Sequence, residues 1–144
     1  MKIVIANDHG AVALKEEIVR HLKAKGHEVD NIGVDSEESV DYPDMAVKAA
    51  KRYLSGSYDF GIVCCGSGIG ISMSANKVPG IRCAQVFDLY TADMCKRHND
   101  ANFIAFGGRI QYQVPVSAML DAFLAAQFEG ERHQRRVGKI NSIC

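Results

Sequence analysis

Short runs of β-branched and apolar residues alternate with segments of helical periodicity along the whole 144-residue chain. The predicted strands are Lys2–Ala6, Glu28–Ile32, Phe60–Cys64, Arg82–Val86 and Asn102–Phe106. Helices are predicted at an apolar stripe from Val12 to Leu22, at Asp44–Leu54, Gly68–Asn76, Asp88–Arg97 and Val114–Phe128, with a short one in the tail. Strands joined through helices pair in parallel. The sequence therefore predicts an α/β fold, a Rossmann-like (flavodoxin-like) three-layer sandwich with a five-stranded parallel sheet.

Length and charge limit the classes of protein that remain. A chain of this size fits one domain, so we expect residues 1–144 to form a single domain. Its 17 basic and 17 acidic residues cancel, so there is no general attraction to nucleic acid or to an anionic membrane. No apolar run approaches the roughly 20 residues of a spanning helix. We therefore expect a cytoplasmic protein with neither nucleic acid nor membrane as a partner.

The five cysteines give no sign of a disulfide framework or a zinc site. Their number is odd, Cys64 and Cys65 are adjacent, and no C-x-x-C pair is present. Reduced thiols, most of them buried in packing, are the simplest prediction.

Two polar loops follow strands that the flavodoxin-like order makes neighbours, the first and the third. One is Asn7-Asp8-His9-Gly10, and the other is Cys65-Gly66-Ser67-Gly68-Ile69-Gly70. Ligands in open α/β sheets bind at the carboxyl ends of such strands. The topology therefore predicts a site where these two loops meet.

The glycines of the second loop, Gly66, Gly68 and Gly70, allow backbone N–H groups to converge on an anion. The dinucleotide fingerprint would need a further glycine where Ile71 stands, and the Walker spacing is absent. A small anionic ligand or a developing oxyanion is favoured over a nucleotide. The alternative is a tight turn without a ligand.

Cys65 begins this loop, where backbone dipoles favour a thiolate that could act as a base. Side chains alternate along a strand, so Cys64 should point to the other face and into packing. A cysteine at a strand end is more often core than catalyst, and it is the loop that makes Cys65 a candidate. Asp8 could serve only as a helix N-cap.

A second group of candidates lies elsewhere. His98-Asn99-Asp100 precedes the fifth strand, at the sheet edge opposite the two loops, so His98 would reach a site only from a neighbouring subunit. Arg109, Arg132 and Arg136 suit bidentate contact with phosphate, and the last two share a helix face. A turn at residues 98–100 and a solvated basic tail are the alternatives.

Taken together, the motifs resemble the ribose-5-phosphate isomerase B group, which also includes galactose-6-phosphate isomerase subunits. The matching segments span nearly the whole chain and occur in order: Asp8-His9-Gly10, Asp41-Tyr42-Pro43, Cys65 to Ile71, Ala75 to Arg82, His98 to Asn102 and Arg132 to Val137.

The resemblance implies a homodimer or dimer of dimers with shared active sites, and metal-free aldose–ketose isomerisation without a cofactor through a cis-enediolate. It implies that Cys65 is the base, and that Ser67 with the amides of residues 66–70, Ile69 included, forms the oxyanion hole. His98, with Asp8, would open the furanose ring. Asn99 would bind substrate, and the phosphate ligands would be His9, Arg109, Arg132 and Arg136.

Two departures from the family pattern bear on these expectations. Ser67 stands where many relatives have threonine and keeps the hydroxyl, and the position near Ser72, where some members carry a glutamate, has no carboxylate. D-ribose 5-phosphate is the expected substrate. Allose 6-phosphate, galactose 6-phosphate and, in another class, a non-catalytic nucleotide-binding module are the alternatives.

Overall fold

The computed structural model describes residues 1–143. Its strands are β1 (Lys2–Asn7), β2 (Glu28–Asn31), β3 (Phe60–Cys65), β4 (Cys83–Gln85) and β5 (Phe103–Gly107). Its α-helices are α1 (Val12–Ala24), α2 (Tyr42–Ser55), α3 (Ile69–Ala75), α4 (Leu89–Asn99), α5 (Val116–Ala125) and α6 (Glu131–Asn141). A single 3₁₀ turn, His9–Ala11, joins β1 to α1.

All five strands are parallel, which confirms the predicted fold class, and their order is β2-β1-β3-β5-β4. The neighbouring placement of β1 and β3 is confirmed. The last two strands, however, are exchanged relative to the flavodoxin order 2-1-3-4-5. Because β5 lies beside β3, the loop after Gly107 reaches the same edge of the sheet as the loops after Asn7 and Cys65.

Helices cover both faces of the sheet, so the strands are buried on either side. One apolar core joins Ile5, Ile62 and Phe106 of the sheet to α1, α4 and α5. The other joins Val4, Val63 and Ala105 to α2 and α3. Cys64 belongs to the first core and Cys65 to the second, as strand alternation predicts.

Several boundaries differ from those predicted. Helix α2 begins at Tyr42, because Pro43 fits the first turn of a helix. Backbone N–H groups in that turn have no acceptor within the helix, so a proline there loses no hydrogen bond. Helix α3 begins at Ile69, since Gly68 adopts a left-handed conformation (φ 77°). The tail forms a helix of 11 residues, α6.

The structure confirms one prediction about the cysteines and adds a finding on membranes. Cys64, Cys65, Cys83 and Cys95 are free thiols, as predicted, and Cys144 lies outside the described residues. Among residues 1–143 no helix combines the length and apolar character needed to cross a bilayer.

Candidate active site

Three loops meet at the carboxyl edge of the sheet, after β1, β3 and β5. A Cβ built on Gly10 would lie 2.9 Å from the backbone nitrogen of Gly66, and one on Gly108 would lie 2.5 Å from the carbonyl oxygen of Gly10. The N–H of Gly108 donates to the carbonyl of Cys65 at 2.8 Å, and that of Arg109 to Gly66 at 2.9 Å. The predicted convergence of the first two loops is confirmed, and a third loop joins them.

The sulfur of Cys65 is held within its own loop. Its Sγ accepts a hydrogen bond from the Gly68 N–H at 3.1 Å, and the residue is 4% exposed. The left-handed backbone at Gly68 turns the chain so that this N–H faces the sulfur. By contrast, Cys64 is sealed in the opposite core, where burial raises the pKa of its thiol. The two adjacent cysteines therefore occupy different environments, and only Cys65 faces the loop.

Some of the loop's amides are committed and others are free. The Ile69 N–H donates to Ser67 Oγ at 3.2 Å, and the Gly68 N–H is taken by Cys65. Within residues 1–143, the N–H groups of Ser67, Gly70 and Ile71 have no acceptor. Because Ser67 Oγ acts as an acceptor here, its hydroxyl proton remains available. Residues 67–71 thus offer uncommitted donors next to the thiol.

Asp8 and His9 both have structural contacts. The Asp8 carboxylate accepts the Gly10 N–H at 2.8 Å, so it caps the 3₁₀ turn and not α1, whose N-cap is Ala11. Its own N–H donates to the carbonyl of Cys64, which ties it to β3. The Val40 N–H donates to His9 Nδ1 at 3.2 Å. Neutral His9 therefore carries its proton on Nε2, where it can donate to a ligand.

Arg109 lies across the glycine loop. A Cβ on Gly66 would lie 3.5 Å from its Nη1. Arg109 also shares with His9 an open cavity of about 290 Å³, together with Gly10, Gly108 and Glu37. Two donors for an anion thus face one space beside the thiol loop. A larger cleft of about 540 Å³ lies between α1 and residues 107–116, but Glu17 is its only charged residue.

The remaining predicted residues lie at the opposite end of the sheet. His98 and Asn99 end α4, just before β5, while Cys65 pairs with Gly107 at the far end of that strand. The four-residue step from Phe103 to Gly107 is about 13 Å long. One subunit therefore does not bring His98 to Cys65, as the topology predicted.

Around His98 a second cluster forms with helix α6. The rings of His98 and His133 stack with centroids 4.2 Å apart and 6° between planes. Glu129 Oε2 lies 3.7 Å from His98 Nε2 and 3.5 Å from His133 Nε2. Burial, and then the charge of His98, lowers the pKa of His133. Arg97, in turn, lowers the pKa of the Glu129 carboxyl through two hydrogen bonds.

Charge decides what this cluster can bind. One ligand atom from each of His98, Glu129 and His133 lies within 4.8 Å of the others, a spacing that could hold a metal ion. Arg132 and Arg136, however, act electrostatically on His133, and Arg97 is paired with Glu129. Arg97 is paired with Asp93 as well as with Glu129, but Arg132 and Arg136 have no such carboxylate partner among the described residues, so the cluster's electrostatics favour an anion over a cation.

The predicted residues thus fall into two groups, which we call the thiol half-site and the histidine half-site. The thiol half-site contains Asp8, His9, Cys65, residues 66–70 and Arg109. The histidine half-site contains His98, Asn99, Arg132 and Arg136. Both arginines of the second group lie on α6 and share the predicted helix face.

Three neighbours of these half-sites had no role assigned from the sequence. Tyr42 packs its ring against Gly70, where a Cβ would lie 2.5 Å from the ring. Gln85 Nε2 donates to the Ser67 carbonyl at 2.7 Å and so braces the loop from β4. Glu129 joins the two histidines. Tyr42 lies in the Asp41-Tyr42-Pro43 motif, but no local pattern indicates Gln85 or Glu129.

Comparisons with known proteins agree with this architecture. The family described as Ribose/Galactose Isomerase matches residues 3–140. The chain is 44% identical over 142 residues to ribose-5-phosphate isomerase B of Escherichia coli (strain K12), covering 99% of this chain and 95% of that protein. The solved structure of the Clostridium thermocellum ribose-5-phosphate isomerase B superposes with a TM-score of 0.95 at 50% identity, covering 99% and 97% of the two chains.

A further solved structure, ribose-5-phosphate isomerase B from Mycoplasma genitalium with bound ribulose-5-phosphate, has a TM-score of 0.91 at 39% identity and covers 97% of this chain and 93% of that one. Fold, half-sites and these matches define an α/β enzyme of the sugar-phosphate isomerase class. The chain belongs to the Ribose/Galactose Isomerase family, and within it to the ribose-5-phosphate isomerase B type. The resemblance seen in the sequence is confirmed, and a non-catalytic nucleotide-binding module is left without support.

Proposed function

We propose that this enzyme interconverts D-ribose 5-phosphate and D-ribulose 5-phosphate through a cis-enediolate, with Cys65 as the base. The observation that carries the proposal is the convergence of three loops, which brings the Cys65 sulfur, uncommitted amides, His9 and Arg109 to one edge of the sheet. The bound ribulose-5-phosphate of the Mycoplasma genitalium relative is a ligand of the proposed kind.

The chemistry is a proton transfer between adjacent carbons. The Cys65 thiolate removes the proton from C2 of the open-chain aldose, and the C–H electrons form the C1–C2 double bond while O1 takes up negative charge. A proton then passes from O2 to O1, so that O2 becomes the carbonyl oxygen, and transfer of the thiol proton to C1 gives the ketose and restores the thiolate. The free N–H groups of Ser67 and Gly70 and the Ser67 hydroxyl would stabilise the oxyanion, a role that their lack of other acceptors supports. Losing one such donor typically costs about 3–4 kcal/mol of transition-state stabilisation.

The phosphate gives the binding energy that orients C1 and C2. His9 Nε2 and the Arg109 guanidinium supply donors from the thiol half-site. Arg132 and Arg136 would supply charge from the histidine half-site, and Asn99, at the end of α4, would be a substrate ligand. Asp8 and His98 would assist ring opening. No metal or cofactor enters this scheme.

A complete site requires a second copy of the chain, whose histidine half-site covers the thiol half-site of the first. Exposed apolar side chains flank both: Ile69, Met73, Phe87, Leu89 and Tyr90 near the first, Ile140 and Ile143 near the second. Exposed apolar groups of this kind mark interfaces between chains. We therefore propose a homodimer, or a dimer of dimers, with shared sites.

A substrate panel tests the proposed reaction. We expect kcat/KM for ribose 5-phosphate to exceed the values for allose 6-phosphate and galactose 6-phosphate. A hundredfold higher kcat/KM for either hexose phosphate would show that the hexose phosphate, and not ribose 5-phosphate, is the substrate. The assignment of residues to the two half-sites would not change.

Cys65→Ala tests the base. The variant should lose nearly all turnover and still bind ribose 5-phosphate in calorimetry, because phosphate binding does not involve the sulfur. Cys64→Ala is the matched control, since its thiol lies in the opposite core. Turnover retained by Cys65→Ala would reject the thiol as the base.

Subunit mixing tests the shared site. Cys65→Ala and His98→Asn subunits should each be inactive, and after exchange some hybrid sites regain both groups. Partial recovery is expected. Failure to recover, with subunit exchange proven by mass spectrometry, would place both residues in one chain's site.

A further inference from the structure

We propose that Glu129 is a positioning residue for His98, holding the ring orientation that His98 needs for ring opening. The inference rests on the proposed function, which assigns ring opening to His98 but gives Glu129 no part. Glu129 is the only carboxylate that faces both imidazoles in the described chain.

The geometry shows a carboxylate that is itself fixed. Arg97 donates to Glu129 Oε1 from Nε at 2.9 Å and from Nη2 at 2.6 Å, and the Glu129 N–H donates to the Arg97 carbonyl at 3.0 Å. Two charge-assisted hydrogen bonds to the same oxygen anchor Oε1. The other oxygen, Oε2, takes no part in them and faces the two Nε2 atoms, at distances typical of ion pairs and longer than hydrogen bonds.

The stacking of the two rings indicates which of them Glu129 would position as an acid. Two imidazolium rings 4.2 Å apart would repel, which disfavours a positive charge on both rings at once. His133 is 4% exposed and its Nε2 has no hydrogen-bond partner among the described residues, so it is the neutral ring, a state that its lowered pKa also supports. The more exposed ring, His98, is therefore the one of the pair that can act as an acid, and it lies beside Glu129.

The charged surroundings make Glu129 hard to replace. Arg132 and Arg136 of α6 act electrostatically on His133, and Arg97 of α4 is paired with both Glu129 and Asp93. Lys96 of α4 is engaged with Asp100, which also pairs with Arg82. Without Glu129, the ring of His98 would have no carboxylate within 4 Å among the described residues. We expect a less well oriented ring in that case, and a poorer acid for ring opening.

The test compares two reactions of Glu129→Gln. Ribose 5-phosphate is mostly a closed furanose, so its isomerisation needs ring opening. Ribulose 5-phosphate cannot close a five-membered ring, because its C5 oxygen carries the phosphate. Exchange of its C1 protons with D₂O, followed by NMR, therefore reports the Cys65 step alone.

We expect Glu129→Gln to lower kcat/KM for ribose 5-phosphate by about 10-fold to 100-fold, part of the 10²–10⁴ that a positioned acid or base contributes. The C1 exchange rate should stay within about twofold of that of the unchanged enzyme. The matched control is Glu131→Gln, which removes the same charge two residues further along the chain. The side chain of Glu131 is exposed and contacts neither ring. It should leave both reactions unchanged.

A third measurement does not depend on activity. In the ligand-free enzyme, imidazole ¹H–¹⁵N spectra should show a change of protonation or tautomer at His98 in Glu129→Gln and none in Glu131→Gln. Equal losses in both reactions, normal ribose isomerisation, or unchanged His98 resonances would each overturn the inference. If the unchanged enzyme does not act on ribose 5-phosphate, the proposed function fails, and the spectra still decide whether Glu129 governs His98.

Discussion

Gly68→Ala is the substitution whose effect the structure determines most directly. Gly68 has φ 77°, a conformation that costs an L-residue roughly 1–2 kcal/mol. Its added Cβ would also lie 2.9 Å from the carbonyl carbon of Phe106 and 3.1 Å from the nitrogen of Gly107. These are backbone atoms of β5, so no side-chain rotation relieves the contact. Overpacking of this kind typically costs about 1–3 kcal/mol.

The matched control is Gly26→Ala. Gly26 has φ 82° at the end of α1, but nothing lies within 4 Å of the position that an added Cβ would take. In Gly26→Ala the free energy of unfolding should therefore fall only by the cost of the left-handed conformation, about 1–2 kcal/mol, and activity should be full. In Gly68→Ala it should fall by about 2–5 kcal/mol, the sum of the conformational cost and the cost of overpacking. The difference between the two variants isolates the clash with β5.

Denaturant unfolding at a fixed protein concentration measures the stability difference, since assembly would otherwise change the midpoint. Ribose 5-phosphate turnover measures the second consequence. Displacing Gly68 moves its N–H away from Cys65 Sγ, and a misplacement of about 1 Å can cost about 100-fold in rate. A Gly68→Ala enzyme as stable as Gly26→Ala, with normal turnover, would refute this reasoning.

Three further predictions concern the core and the titrating groups. Leu120→Ala, in the core beneath α5, should cost about 2–5 kcal/mol in denaturant unfolding, whereas the half-exposed Leu54→Ala should change little; equal losses would contradict the assigned core. The pKa of His133 is lower in the folded protein than in the unfolded chain, where it is about 6.5, so its contribution to stability is fully present above that pH. This stability is lost as pH falls through the folded value, so His133→Asn should flatten the decline measured between pH 7 and 5.5. Burial raises the pKa of Cys64, and that of Cys95 to about 12, so mass spectrometry after iodoacetamide treatment should find both unmodified until the protein unfolds.

Local pattern predicted the parts of this fold that depend on nearby residues. Strand and helix periodicity identified each element to within a few residues, and alternation assigned Cys64 and Cys65 to opposite faces. Helix α2 begins two residues before the predicted Asp44, because Pro43 fits the first turn, and Gly68, predicted as the first residue of α3, is its N-cap. The role of His98 could be assigned to another subunit's site from topology alone, and that remains a proposal.

By itself, the sequence determined a parallel α/β sandwich, the thiol loop beside Asp8 and His9, and the arginine pair on α6. Only the tertiary structure decided that β5 lies between β3 and β4, which brings Arg109 across Gly66. It also decided which loop amides stay free and how Glu129 meets the two histidines. The reason is physical: periodicity records which face of an element is apolar, whereas strand order and side-chain convergence depend on how distant elements share one core.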